Sequence, residues 1–296
     1  MMPLLCSLFG NGTGLVGLVS PVALAPHDAL PWPSLASQGL LLAAAGLCLL
    51  PLWRRALLWS APGRNVFFVS WGFSQVVVGV LAATAASLLV SALVRTPQAG
   101  SWSFLAALAA LVGVAFWASH RTQREPARAL GLTIERPGRL ALCGVLALLC
   151  CLPLLLGLAA AWPLLGERAA LALGSSAPAQ FAVATNLAEL APLWAWGVAL
   201  LISPWLQEVT LRGFLQPLLI QNFSERGGLL LSALIFAALH GGSGFPALFA
   251  LGLILAEVKL RTHSTWAAWL THVLYMLLCL LQQRAQLGGP LLPPTF

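Results

Sequence analysis

The chain has 296 residues, 59% of them hydrophobic and 8% charged, with a mean hydropathy of +0.90. A soluble domain carries about a quarter charged residues. The composition therefore excludes one and indicates an all-α, polytopic transmembrane helical bundle of about eight spans. The net charge of +7 comes from arginines in short loops between apolar runs, which read as topology signals. No pairing of basic with aromatic residues points to nucleic acid.

Residues 1–33 form an apolar and Pro-rich segment of open topology. Its apolar part, Leu4 to Leu24, is broken by Gly10-Asn11-Gly12-Thr13-Gly14 and Pro21 and lacks the basic start of a cleaved signal peptide. His27 and Asp28 follow it and read as solvated loop residues. Leu35 to Trp53 is the first clear span, close to the ~20 residues that cross the hydrocarbon core. Phe73 to Val94 and Trp102 to Ser119 are the second and third. The most polar loop comes next, with Arg121, Arg124, Arg128, Arg136 and Arg139 against Glu125 and Glu135. Leu140 to Trp162 is the fourth span, with a kink expected at Pro153. A loop with Glu167 and Arg168 then leads to an amphipathic stretch, Ala177 to Glu189.

Leu190 to Leu206 is the fifth span, and its helix is expected to run on through residue 212. Ser224 to Gly228 should break it. Leu229 to His240 is the sixth span, Gly241 to Gly244 a turn, Phe245 to Val258 the seventh and Thr265 to Leu281 the eighth. A Pro-rich tail closes the chain. The resulting division is 1–33, an N-terminal helical part over 34–176, a C-terminal helical core over 177–284, and the tail 285–296.

Alternating the spans puts Arg54, Arg55, Arg64, the five-arginine loop, Arg226, Lys259 and Arg261 on one side, which the positive-inside rule makes cytoplasmic. Lys259 is the only lysine among 15 basic residues. With abundant Ala, Leu and Gly, that bias suggests a GC-rich bacterial genome and hence the bacterial cytoplasmic (inner) membrane. The six cysteines lie mostly in apolar runs with no CxxC spacing, and read as small packing residues.

The C-terminal half holds Glu189, Glu208, Glu257, His240 and His272. Ionisable groups inside a membrane are costly and mark functional sites. Glu208 and Arg212 are four residues apart and share a helix face. His240 ends one apolar segment and His272 sits within another. Clustering in one half argues against the repeats of many transporters.

The stretch Gln207-Glu208-Val209-Thr210-Leu211-Arg212-Gly213-Phe214-Leu215, then Phe236-Ala237-Ala238-Leu239-His240, then His272 with Leu260-Arg261-Thr262 upstream, resembles the CPBP family of CAAX prenyl endopeptidases and bacteriocin-processing or immunity proteases. The family pattern is Glu-Glu-x-x-x-Arg, Phe-x-x-x-His and His-x-x-x-Asn. Two positions depart from it: Gln207 replaces the first glutamate and Met276 the asparagine. The resemblance implies a catalytic base at 207, water held with His240, oxyanion stabilisation from His272 and its fourth-following residue, and Arg212 orienting the glutamates. The implied substrate is a membrane-associated protein or peptide in the lipid bilayer, with a C-terminal sorting tail among the candidates.

Gln207 keeps the shape of glutamate and cannot take a proton. Both a non-catalytic relative and a silencing substitution account for it. Met276 is a weak acceptor and no donor. Tyr275, near the face of His272, either supplies the missing donor or packs between helices. Glu257 either pairs with a basic neighbour at the membrane surface or contacts substrate. The residue types allow zinc and relatives have been described as metalloproteases, but no cofactor or metal is assigned. The alternative to a protease is a non-catalytic scaffold or immunity-like binding protein of the same fold.

Overall fold

The computed structural model describes residues 69–95, 99–123, 125–172, 197–240 and 245–286, with residue 41 and residues 44–47 besides. Residues 1–33, the stretch 177–189, the turn 241–244 and the Pro-rich tail lie outside the described residues, as does most of the expected span at 35–53. Among the described residues there are helices and no strand.

Helix α1 (Phe73–Leu93) and α2 (Ala99–Thr122) form a close pair. Gly79 of α1 leaves room for Leu111 and Val114 of α2, 3.1 and 3.6 Å from where a Cβ would stand. Val77, Leu81, Leu88 and Leu93 project outwards, as expected of a helix that is apolar all round and faces lipid. Short α3 (Pro126–Ala129) starts at a proline, whose missing N–H costs nothing there. It turns at Gly131, whose φ of 70° suits a residue without a side chain.

Helix α4 (Pro137–Ala172) is longer than its sequence suggests. The expected span ended at Trp162, with Glu167 and Arg168 in a loop. The backbone instead stays helical past both residues, and on either side of Pro153. At 1.5 Å per residue its 36 residues reach about 54 Å, well beyond a ~30 Å hydrocarbon core. The polar residues therefore ride on a helix end that outruns the apolar span.

Helix α5 (residues 198–222) carries the first motif without interruption. Its winding changes along the way, from π over Val198–Ile202 to α over Ser203–Glu208, to π over Val209–Leu215, and back to α from Gln216. The break comes at Phe223 and Ser224, the latter with φ 73°. Helix α6 (residues 225–240) begins directly after, with the Gly227 N–H donating to Ser224 Oγ at 3.4 Å as an N-terminal cap. Gly227 and Gly228, expected in the break, lie inside the first turn of α6.

Their smallness serves packing. A Cβ on Gly228 would stand about 2.5 Å from backbone atoms of Ile220, so α6 folds back directly against α5. Gly228→Ala is expected to cost about 1–3 kcal/mol, the usual penalty of overpacking. Thermal unfolding in detergent measures it, and an unchanged midpoint would refute the contact.

Helix α7 (Phe245–Thr262) packs on α6 where Gly252 meets Ala233. Helix α8 (Thr265–Gln286) packs on α4, with Thr271 Oγ1 donating to the Gly144 carbonyl at 3.2 Å. One hydrophobic cluster joins α4 to α8, through residues such as Cys151, Leu155, Leu211, Phe236, Leu255 and Ala268. The start of α8 also grips the loop after α3. Thr265 N–H donates to Gly131 O at 2.8 Å, Thr265 Oγ1 to Leu130 O at 2.6 Å, and Trp266 Nε1 to Leu132 O at 2.8 Å. Cys150, Cys151 and Cys279 are free thiols.

Among the described residues, Phe73–Leu93, Trp102–Thr122 and Pro137–Leu158 are long and apolar enough to cross a membrane. Thr265–Cys279 is a shorter apolar stretch.

Candidate active site

The site gathers on one side of α5, where α6, α7 and α8 converge. Glu208 and Arg212 are both 0% exposed. The arginine Nε lies 3.5 Å from Glu208 Oε2, yet neither atom makes an aligned hydrogen bond. Their contact is charge attraction across one helical turn. Arg212 is oriented by other groups: Nη1 donates to Ser232 Oγ of α6 at 3.3 Å, and Nη2 to the Gly252 carbonyl of α7 at 3.2 Å. Its guanidinium also lies 5.0 Å from the centre of the Phe236 ring, within cation–π range.

The other oxygen of Glu208 faces α8. His272 Nδ1 stands 2.9 Å from Glu208 Oε1. A carboxylate accepts, so Nδ1 carries the proton of this contact, and Nε2 takes no part in it. His240 is fixed the same way by its own helix, with Nδ1 donating to the Phe236 carbonyl at 2.8 Å. A carbonyl can only accept, so the neutral ring presents Nε2 as a lone-pair nitrogen. The two imidazoles are 6.3 Å apart between centroids. Phe236 stands against both, at 4.3 Å from His240 and 5.4 Å from His272.

Gln207 lies on α5 next to Glu208 and is buried. Its Nε2 donates to Ser203 Oγ at 3.3 Å, while its Oε1 is buried without a hydrogen-bond partner. A buried acceptor of this kind is an open position for a donor.

The structure thus brings Glu208, Arg212, His240 and His272 together, with Gln207 beside them on the same helix. The remaining candidates sit differently. Tyr275 is buried in the main hydrophobic cluster and its hydroxyl pairs with Cys279, one turn further along α8. Met276 is half-buried one turn beyond His272. Glu257 bonds Arg261 on its own helix, at 2.8 Å to Nη2 and 2.9 Å to Nε. Both side chains of that pair are covered by protein. Lys259 points elsewhere, to the carbonyls of His263 at 3.2 Å and Leu130 at 3.5 Å.

Glu208, His240 and His272 do not fit a zinc site as they stand. One oxygen of Glu208 is taken by His272 and the other faces Arg212. Among the described residues no group of three His, Cys, Asp or Glu side chains is placed to hold a metal ion.

Ser232 and the Gly252 carbonyl escaped the reading of the sequence. Ser232 was findable: it lies at i−4 and i−8 from Phe236 and His240, so all three share one stripe of α6. The carbonyl left no signal, since any residue has one. Ser232→Ala should cost about 1–2 kcal/mol by leaving an arginine N–H unpaired in the interior. Denaturation in detergent reads this directly, and an unaltered variant would remove Ser232 from the arginine's supports.

Residues 189–278 match the family model "Type II CAAX prenyl endopeptidase Rce1-like". No curated protein and no solved structure matches the chain. The matched region contains all of α5, α6 and α7, and α8 as far as Leu278. The residues that form the site, Gln207, Glu208, Arg212, His240 and His272, fall within it, so the part of the chain that carries the site is similar to the Rce1-like family of type II CAAX prenyl endopeptidases.

Proposed function

We propose that the chain is an intramembrane endopeptidase of bacterial type, held silent by glutamine at position 207. The observation that carries this reading is the tautomer set: a buried Glu208 fixes His272 through Nδ1, and Phe236 fixes His240 the same way. Both rings then present Nε2, one as a proton acceptor. With glutamate at 207, that carboxylate and His240 would hold and deprotonate a water. The hydroxide adds to the scissile carbonyl, the oxyanion accepts from the Nε2–H of His272 in its doubly protonated form, and the proton taken from the water passes to the departing amine. Arg212, 3.5 Å from Glu208 Oε2, helps to hold Glu208 in place. Tyr275, Met276 and Glu257 have no assigned step here, and the scheme requires no cofactor.

In this reading the chain has about eight spans in the cytoplasmic membrane, with residues 177–284 as its catalytic core. Its substrate is a membrane-associated protein or peptide, with a C-terminal sorting tail as one class. A second reading, a non-catalytic scaffold or immunity-like binder, is favoured by one observation: the amide of Gln207 donates to Ser203 and is accommodated as it stands. Co-expression of candidate membrane substrates with the Gln207 chain and with Gln207→Glu separates the two. Cleavage by the glutamate form alone supports the protease, and no cleavage by either supports the scaffold.

A further inference from the structure

Two windings of α5 are π, and they flank the α-helical turn that carries Gln207 and Glu208. π turns cluster at functional sites and persist where surrounding structure holds them. Each of these two is met by an indole from a distant element. Trp71, just before α1, donates from Nε1 to the Phe214 carbonyl at 3.1 Å. Trp269 of α8 donates from Nε1 to the Leu201 carbonyl at 3.0 Å. The wider π turn spreads its carbonyls and lets a donor from outside the helix reach one.

The Trp71 contact is built with care. The side chain is 2% exposed, and its ring stacks on that of Phe214 at 5.5 Å. Val69 N–H donates to Gln221 Oε1 at 3.2 Å, so the same short segment grips α5 at two levels. Gly213 is needed as well, because a Cβ there would stand 2.9 Å from the Leu130 carbonyl. Trp269 lies three residues before His272 on α8. The helix that supplies the histidine for Glu208 thus also pins the π turn upstream of Glu208.

We propose that Trp71 and Trp269 are positioning residues: their indole N–H groups hold the two π-wound stretches of α5 and so set Glu208 against His272. The part of this that concerns catalysis rests on the protease reading; the geometric part does not. The segment before α1, with Trp71 136 residues from Gln207, then acts on the site through one hydrogen bond to backbone.

Phenylalanine at either position keeps a ring and removes the N–H. The test uses the full chain in detergent with isotope-labelled histidine. The ring-nitrogen shifts of His272 are assigned by their loss in His272→Gln. Trp71→Phe and Trp269→Phe are each expected to move these shifts while those of His120 stay put. Unmoved His272 shifts in a folded Trp269→Phe overturn the proposal even if Trp71→Phe fails to fold, because Trp269 is partly exposed and its ring is easily replaced. In the Gln207→Glu form, each variant should lower kcat about tenfold with KM unchanged, as loss of one orienting hydrogen bond implies. A raised KM with unchanged kcat contradicts it. Absence of any cleavage by Gln207→Glu would defeat the protease reading alone, since the histidine shifts still decide the clamp.

Discussion

Replacing Arg212 with methionine is expected to cost about 3–5 kcal/mol, the range for removing one partner of a buried ion pair. The side chain is fully enclosed, and it reaches two other helices, α6 through Ser232 and the Phe236 ring and α7 through the Gly252 carbonyl. Methionine fills similar volume, so the loss is electrostatic and not a cavity. Glu208 keeps His272 but loses the charge opposite its other oxygen, in surroundings where an uncompensated carboxylate is poorly tolerated. The Ser232 hydroxyl and the Gly252 carbonyl lose their donors too. Arg212→Lys should fall between the two. It keeps the charge, but a single ammonium cannot serve the fork of contacts that the guanidinium makes. Denaturant unfolding in mild detergent measures the series. A methionine variant within about 1 kcal/mol of the parent would mean that Glu208 is neutral or otherwise paired, since a surface-like pair is worth no more than that.

Gln207→Glu is expected to raise the rate of peptide cleavage by about 10²–10⁴-fold, the contribution of a positioned general base. The geometry allows the exchange. Ser203 Oγ now accepts from the glutamine amide, and a hydroxyl can rotate to donate to a carboxylate instead. The second oxygen would stand where Gln207 Oε1 stands, buried and without a partner, which is the position from which it could hold a water. Glu208 is placed differently: its Oε1 is bonded to His272 Nδ1, and its Oε2 lies 3.5 Å from Arg212 Nε without a hydrogen bond.

Much of this arrangement was readable in the sequence because it is local. Glu208 and Arg212 meet because residues four apart share a helix face, and His240 marks itself by closing an apolar segment. The continuation of α5 through the motif was readable too, since neither proline nor glycine stands between Leu206 and Arg212; Gly213 and Pro217 follow, and the helix runs on past both. The π windings were not. Pro204 and Pro217, each two residues beyond a π stretch, mark where the helical ladder loses a donor, but the indoles that meet Phe214 and Leu201 come from 143 and 68 positions away and leave no local sign. The length of α4 was missed for a related reason. Pro163 and Gly166 beyond Trp162 suggest a helix end, but the good helix formers Leu164, Leu165 and Glu167 to Ala172 carry the helix past them. The choice of Arg261 over Lys259 as partner of Glu257 turns on helix phase, four residues against two, and was open to a closer count.

The most direct test is mass spectrometry of membrane peptides incubated with the purified, bilayer-reconstituted chain in heavy-oxygen water. Three forms are compared: the Gln207 chain, Gln207→Glu, and Gln207→Glu with His240→Ala. The account predicts paired fragments, with heavy oxygen in the new carboxylate, from the Gln207→Glu form alone. Fragments that persist without His240, or none from any form with intact peptide present throughout, would contradict it.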